Sequence, residues 1–146
     1  MNYSPRCNCP VTSALDILGD KWTLVIIKQI LIEGKQTFKE FLESDEAIAT
    51  NILSSRLKML EEFDVITKDK PTYNKKTNIY RLTDKGISLT PIIAELGIWS
   101  DANMRGFHPD IIAGKHMDDL KNNKEQFIFD LQQNYREKLD LQKAKG

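Results

Sequence analysis

Residues 47–66 read AIATNILSSRLKMLEEFDVI. Placed on a helix at 100° per residue, the stretch divides into two faces. Ala49, Ile52, Leu53, Leu57, Met59, Leu60 and Phe63 crowd one side, and Thr50, Asn51, Ser54, Ser55, Lys58, Glu61 and Glu62 fill the other. The polar face begins with short hydroxyl and amide side chains plus one lysine, and turns acidic only in its last turn. An ordinary solvated helix mixes long Glu and Lys side chains throughout. Short polar groups add donors and acceptors without bulk, which suits close approach to the floor of a DNA major groove. Arg56 falls among the apolar positions, where it is expected to snorkel toward a phosphate or pair with a carboxylate.

What precedes and follows this helix decides the fold. Thr37-Phe38-Lys39-Glu40 is a capping box, opening a short helix whose buried side is Phe38, Phe41 and Leu42. Ser44-Asp45-Glu46 turns into the 47–66 stretch, so the pair reads as a helix-turn-helix with its recognition helix over 49–63. From Val65 the period changes to two: Val65–Lys68 and Thr77–Leu82 read as antiparallel strands, with 71–76 as the loop. A helix-turn-helix followed by a hairpin, here a wing over 66–82, is a winged helix.

Upstream, residues 1–9 form a short arm. Pro10 suits a first helical turn and sets Cys9 at the N-cap, with Ser13 and Asp16 as an alternative start, and Gly19 ends the helix. Asp20 then caps a helix over Lys21–Glu33 that is apolar nearly all round, hence central and buried, and Gly34 closes it. Downstream, Thr83 caps a helix kinked by Pro91, whose Ile87, Leu89, Ile92, Ile93, Leu96, Ile98 and Trp99 give more apolar surface than one small domain can cover. Arg105–Gly114 is a linker, and 115–146 a last amphipathic helix whose stripe of Leu120, Phe127, Leu131, Tyr135 and Leu139 suggests packing on a partner chain.

With 146 residues, 21 Lys or Arg and 21 Asp or Glu, the chain is formally neutral, which at first argues against nucleic acid. The distribution reverses that. Residues 66–85 hold six basic and two acidic side chains, whereas 1–65 hold seven and ten, and 86–146 eight and nine. Local sign governs contact with phosphates. Lys70, Asn74, Lys75, Lys76 and Arg81 of the wing join Thr50, Asn51, Ser54, Ser55 and Lys58 as candidate DNA contacts. The plain alternative is a solvated helix face and a solvated charge run. Tyr73 either inserts beside a sugar or packs at the loop base.

No apolar run spans a membrane and no signal peptide is evident, so a cytoplasmic protein is expected. Neither a glycine-rich phosphate loop nor HExxH nor a nucleophile elbow appears, so no enzyme and no cofactor is expected. Cys7, Cys9, His108 and His116 lack zinc spacing, which argues against a metal. Cys9 at a helix N-terminus has its thiolate favoured, making it a candidate redox or electrophile sensor; the alternative is a small packing residue.

Cys9-Pro10-Val11, Ala14-Leu15-Asp16 and Gly19-Asp20-Lys21-Trp22-Thr23-Leu24 resemble the opening signature of HxlR-type transcriptional regulators, bacterial winged-helix proteins related in fold to the MarR group. The match continues through Leu53, Arg56-Leu57, Leu60-Glu61-Glu62, Tyr80, Leu82-Thr83 and Lys85-Gly86 to near Trp99. The resemblance implies a mainly α (α+β) winged helix-turn-helix with additional N- and C-terminal dimerisation helices. It also implies a homodimer binding double-stranded DNA at an inverted-repeat operator, and a switch through Cys9 or a small electrophile or other effector. The domains expected are an arm (1–9), the HxlR-type domain (10–105), and a linker with C-terminal helix (106–146). Two departures stand out: Asn74-Lys75-Lys76 replaces a proline pair in the wing, which should leave its tip more flexible and more basic. Asp64 replaces the usual glycine after the recognition helix, and tolerates the left-handed conformation better than most residues. The reading from another class is a winged-helix module that docks a protein.

Overall fold

The computed structural model describes residues 2–112 and 115–145, so Gly114 of the expected linker lies outside the described residues. They form two compact units, residues up to Gly86 and Ile87–Lys145.

In the first unit Pro10 opens α1 (Pro10–Leu18) with Cys9 at its N-cap. The alternative start at Ser13 is not used, because Asp16 has another task. It accepts from the Tyr3 hydroxyl at 2.8 Å and pairs with Arg6 at 2.5 Å, and the Tyr3 ring meets Phe63 edge-on at 5.5 Å. The arm is thereby fastened to α1 and to the end of the fourth helix.

Helix α2 (Thr23–Leu31) is two residues shorter at each end than expected. Asp20 still caps its start: Oδ2 accepts the Trp22 and Thr23 N–H groups, and the Thr23 hydroxyl donates to Oδ1. Burial opposes the charge on Asp20, but the Thr23 hydroxyl, the Trp22 N–H and Arg56 outweigh it and hold the carboxyl below its usual range. Gly34 closes the helix at φ +70°. Helix α3 (Phe38–Leu42) carries the full capping box, with Glu40 N–H on Thr37 Oγ1 at 3.2 Å and Thr37 N–H on Glu40 Oε1 at 3.2 Å. Phe41 alone of its expected apolar trio is fully buried.

The turn into α4 (Thr50–Glu62) is pinned by Glu46. Its carboxylate pairs with Lys28 at 2.5 Å and accepts from Gln29 Nε2 at 2.9 Å, which satisfies an amide buried to 1% exposure. The Lys28 contact, opposed by partial burial and helped by Gln29, lowers the Glu46 pKa from 4.5 to about 2. A depressed carboxylate stabilises above its unfolded value, so this contribution is complete above about pH 4.5 and disappears as pH falls toward 2. With a third of the side chain in solvent, about 1–2 kcal/mol survives screening. Glu46→Gln should therefore lower stability by about that much at pH 7 in urea titrations and flatten the acid limb between pH 4.5 and 2. An unchanged acid limb would remove Glu46 from the account.

Strands β1 (Ile66–Asp69) and β2 (Ile79–Leu82) pair antiparallel, Ile66 opposite Leu82 and Asp69 opposite Ile79. β2 starts two residues later than the alternation predicts, and β1 is shifted one residue toward the loop from the expected Val65–Lys68. The Tyr80 N–H donates to Gln36 O at 2.8 Å, tying the wing to the loop before α3. Leu53, Leu57, Leu60, Ile66, Ile79 and Leu82 build the core beside Ile26, Ile27, Ile30 and Phe41.

Asp64 has φ +61°, as its glycine-like position predicts, and Ala47 has φ +56°, which the sequence does not announce. Thr83 and Lys85 close this end of the unit. The Thr83 hydroxyl donates to Asp64 O at 2.5 Å and accepts the Gly86 N–H at 3.2 Å, capping α5 (Asp84–Ile87), while Lys85 Nζ donates to Phe63 O at 3.0 Å.

The second unit corrects two expectations. Pro91 does not kink one long helix; it opens a new one, α6 (Thr90–Asn103). Proline has no N–H for the Ile87 carbonyl, which accepts instead from the Thr90 hydroxyl at 2.6 Å and Gln132 Nε2 at 3.2 Å. The tail is likewise two helices, α7 (Lys115–Asn122) and α8 (Lys124–Lys145), parted at Asn123, a residue type at home at an N-cap. Of its stripe, Leu120 and Tyr135 are buried within the chain and Phe127, Leu131 and Leu139 are half-buried, and Lys124 pairs with Glu95 at 2.6 Å. Buried Asp101 binds Lys121 and Arg105, and both cations, Lys121 foremost, hold its carboxyl below the usual range.

Candidate nucleic-acid interface

Helix α4 presents Thr50, Asn51, Ser54, Ser55 and Lys58 to solvent; all five are exposed. At 100° per residue they occupy an arc of roughly 140°. The opposite arc buries Leu53, Leu57 and Leu60, so core packing aims the polar face outward. Ala49 at the N-cap supplies no side-chain acceptor, leaving the first amides of α4 open to an anion. Arg56 pairs with Asp20 at 2.8 Å, locking α4 to the start of α2, and also donates to Ser55 Oγ at 3.2 Å. The carboxylate partner expected for Arg56 is thus found, and its head is directed into the protein.

The wing loop exposes Lys70, Asn74, Lys75 and Lys76, and Tyr73 is 77% exposed rather than packed at the base. Asn74 organises the tip. Its N–H donates to Pro71 O at 3.2 Å, its Oδ1 accepts the Lys76 N–H at 3.1 Å and its Nδ2 donates to Thr77 Oγ1 at 3.1 Å. The tip thereby carries its own turn bonds. Arg81 differs from the loop lysines: its side chain is only 18% exposed and pairs with Asp69 at 3.3 Å.

A groove of about 360 Å³ runs along α4, lined by Ser54, Lys58, Glu61, Lys68 and Tyr80 among others. Lys68, 3.9 Å from Glu61, was not among the candidates read from the sequence. Its outward place on β1, opposite Tyr80, is the signal that could have found it.

The HxlR-like helix-turn-helix family profile matches residues 17–107. The chain belongs to that family. The HxlR-like chain is accordingly a DNA-binding transcriptional regulator. Over 94 residues it is 34% identical to the HTH-type transcriptional regulator YodB of Bacillus subtilis, spanning 64% of this chain and 83% of YodB. It is 36% identical over 100 residues to YvaP of the same species, an uncharacterized HTH-type regulator, spanning 68% and 91%. Among solved structures, the redox regulator HypR in its reduced form superposes with a TM-score of 0.60 at 27% identity, covering 69% of this chain and 99% of HypR. Reduced YodB superposes at 0.56 and 33% identity, covering 66% and 95%. The HxlR-like match ends at residue 107, so the α7–α8 tail lies beyond it.

The N-terminal cysteines are both exposed free thiols. The Thr12 N–H, then its hydroxyl, then the Val11 N–H lower the Cys9 pKa against a small opposing burial effect. Among the described residues no three His, Cys, Asp or Glu side chains converge on a metal position, and no helix is long and apolar enough to cross a membrane.

Proposed function

We propose that the chain acts as a homodimer whose two α4 helices enter major grooves of an inverted-repeat operator while the wings hold the flanking phosphates. The observation that carries this reading is the exposed arc of short polar side chains on α4 beside a lysine-bearing, turn-organised wing loop. Thr50, Asn51, Ser54, Ser55 and Lys58 read or approach base edges; Lys70, Lys75 and Lys76 bind phosphate, Asn74 shapes the tip, and Arg81 braces the hairpin. Half-sites lie on the order of 10 base pairs apart, or a multiple of that. Pairing is supported by an apolar ridge on α6, where Ile92, Leu96 and Trp99 stand 40%, 50% and 59% exposed beside a groove of about 450 Å³, and by exposed Val11 and Leu15 on α1.

Cys9 supplies the switch. YodB has been solved reduced, diamide-treated and quinone-bound, and HypR reduced and oxidized. In this chain the lowered Cys9 pKa at the start of α1 supports the same class of reaction, and modification shifts the dimer between two arrangements of its recognition helices. The test is quantitative binding to DNA upstream of the coding region, with and without diamide, for wild type and Cys9→Ser. Release by the oxidant in wild type alone supports the switch; indifference in both discards it and leaves a non-covalent effector.

Replacing both Lys75 and Lys76 with Ala should weaken binding roughly tenfold across all sequences and reduce the salt slope by about two. An unchanged slope removes the wing from the interface. No steep salt dependence at all favours the module that docks a protein through the acidic end of α4.

A further inference from the structure

Cys7 and Cys9 bracket one residue at the open end of α1. The Cys9 N–H donates to Cys7 Sγ across 3.5 Å. A cysteine's own nitrogen and sulfur lie about 3 to 4 Å apart, depending on χ1, so the two sulfurs are separated by at most about 7.5 Å and χ1 rotation can bring them together. The segment is held on both sides. Arg6 binds Asp16 at 2.5 Å and reaches Thr12 O at 3.5 Å, and Pro10 fixes the chain where it enters α1. Both sulfurs are solvent-accessible. A direct disulfide demands sulfurs about 2.05 Å apart at a fixed dihedral, which a single intervening residue strains. A larger bridging atom bonded to both sulfurs relaxes both demands, and soft thiolates select soft centres.

We propose that Cys7 and Cys9 form a dithiol site for trivalent arsenic, one arsenic atom bridging both sulfurs of one chain. With phenylarsine oxide two S–H bonds break and two S–As bonds form. The arsenic-bound oxygen leaves with both protons as one water, and arsenic stays trivalent, so no oxidant is consumed. The site extends the thiol reading of Cys9 by naming a class of agent, and adds Cys7, which that reading leaves idle. Chelation is what separates it from a single reactive cysteine: the second S–As bond forms within the molecule, so an excess of monothiol does not strip the adduct, whereas a competing dithiol does.

The experiment is intact mass spectrometry of the full chain after phenylarsine oxide, followed by challenge with excess 2-mercaptoethanol or with 2,3-dimercaptopropanol. The wild type should keep one phenylarsenic per chain through the monothiol and lose it to the dithiol. Cys7→Ser and Cys9→Ser should each require roughly a hundredfold less monothiol for release. Both positions are exposed, and matching circular dichroism checks that the variants remain folded. Wild-type adduct lost to monothiol overturns the proposal. So does a Cys7→Ser adduct as resistant as wild type, which means a bridge between Cys9 residues of two chains. Operator binding indifferent to diamide would discard the Cys9 switch while leaving the chelate result standing, so the two failures are distinguishable.

Discussion

Gly86→Ala should lower the stability of the first unit by about 3 kcal/mol, and Gly86→Val by more, in urea or thermal unfolding. A Cβ at Gly86 would lie 2.4 Å from Val65 O and 3.0 Å from Leu82 Cδ2. Neither neighbour can give way cheaply. Val65 O accepts the Thr83 N–H at 3.1 Å, and Leu82 is buried in the hairpin core. Relief of the clash therefore requires breaking the junction at which Thr83 and Lys85 hold the end of α4. Gly34 is the control. Its φ is +70°, but a Cβ there would meet no atom within 4 Å, so Gly34→Ala should cost only about 1–2 kcal/mol from backbone conformation. A Gly86→Ala loss smaller than that of Gly34→Ala would show that the backbone at Val65 moves.

Ser54→Glu should reduce operator affinity by about a hundredfold while leaving the melting temperature unchanged or slightly raised. Ser54 is exposed at the middle of the polar arc, one turn before Lys58. In the bound state a carboxylate there faces groove-edge acceptors and flanking phosphates. Like charges at about 4 Å repel by about 1 kcal/mol in water and about 4 kcal/mol at an effective dielectric of 20, which brackets the expected loss. Within the helix the change is benign, because Glu has the higher helix propensity and forms an i,i+4 pair with Lys58. Separating the two readouts matters: a loss of binding with a lower melting temperature would be a folding defect, and binding close to that of wild type would take this face of α4 out of the groove.

The local features of this protein were legible without coordinates wherever a rule acts within a few residues. The Thr37–Glu40 capping box, proline at the start of α1 and the change from helical to strand period at Val65 are such cases. So was the polar arc of α4, because burial of Leu53, Leu57 and Leu60 fixes which side of a rigid helix is left in water. The candidate site inherits that legibility for Thr50, Asn51, Ser54, Ser55 and Lys58.

Tertiary packing alone selects the partners of side chains whose options lie far away in sequence. Arg56 and Asp20 are 36 positions apart and Gln132 and Ile87 45, and no periodicity encodes such pairs. The same holds for Tyr3 against Phe63 and for Glu46 beneath Lys28 and Gln29. Arg81 and the loop lysines look alike as letters, yet cross-strand geometry gives Arg81 an acidic partner while the lysines stand in solvent. Pro91 shows the limit most plainly. Proline forbids one backbone bond and so permits either a kink or a fresh start; the chain takes the fresh start because Thr90 and Gln132 satisfy the carbonyl that proline leaves behind.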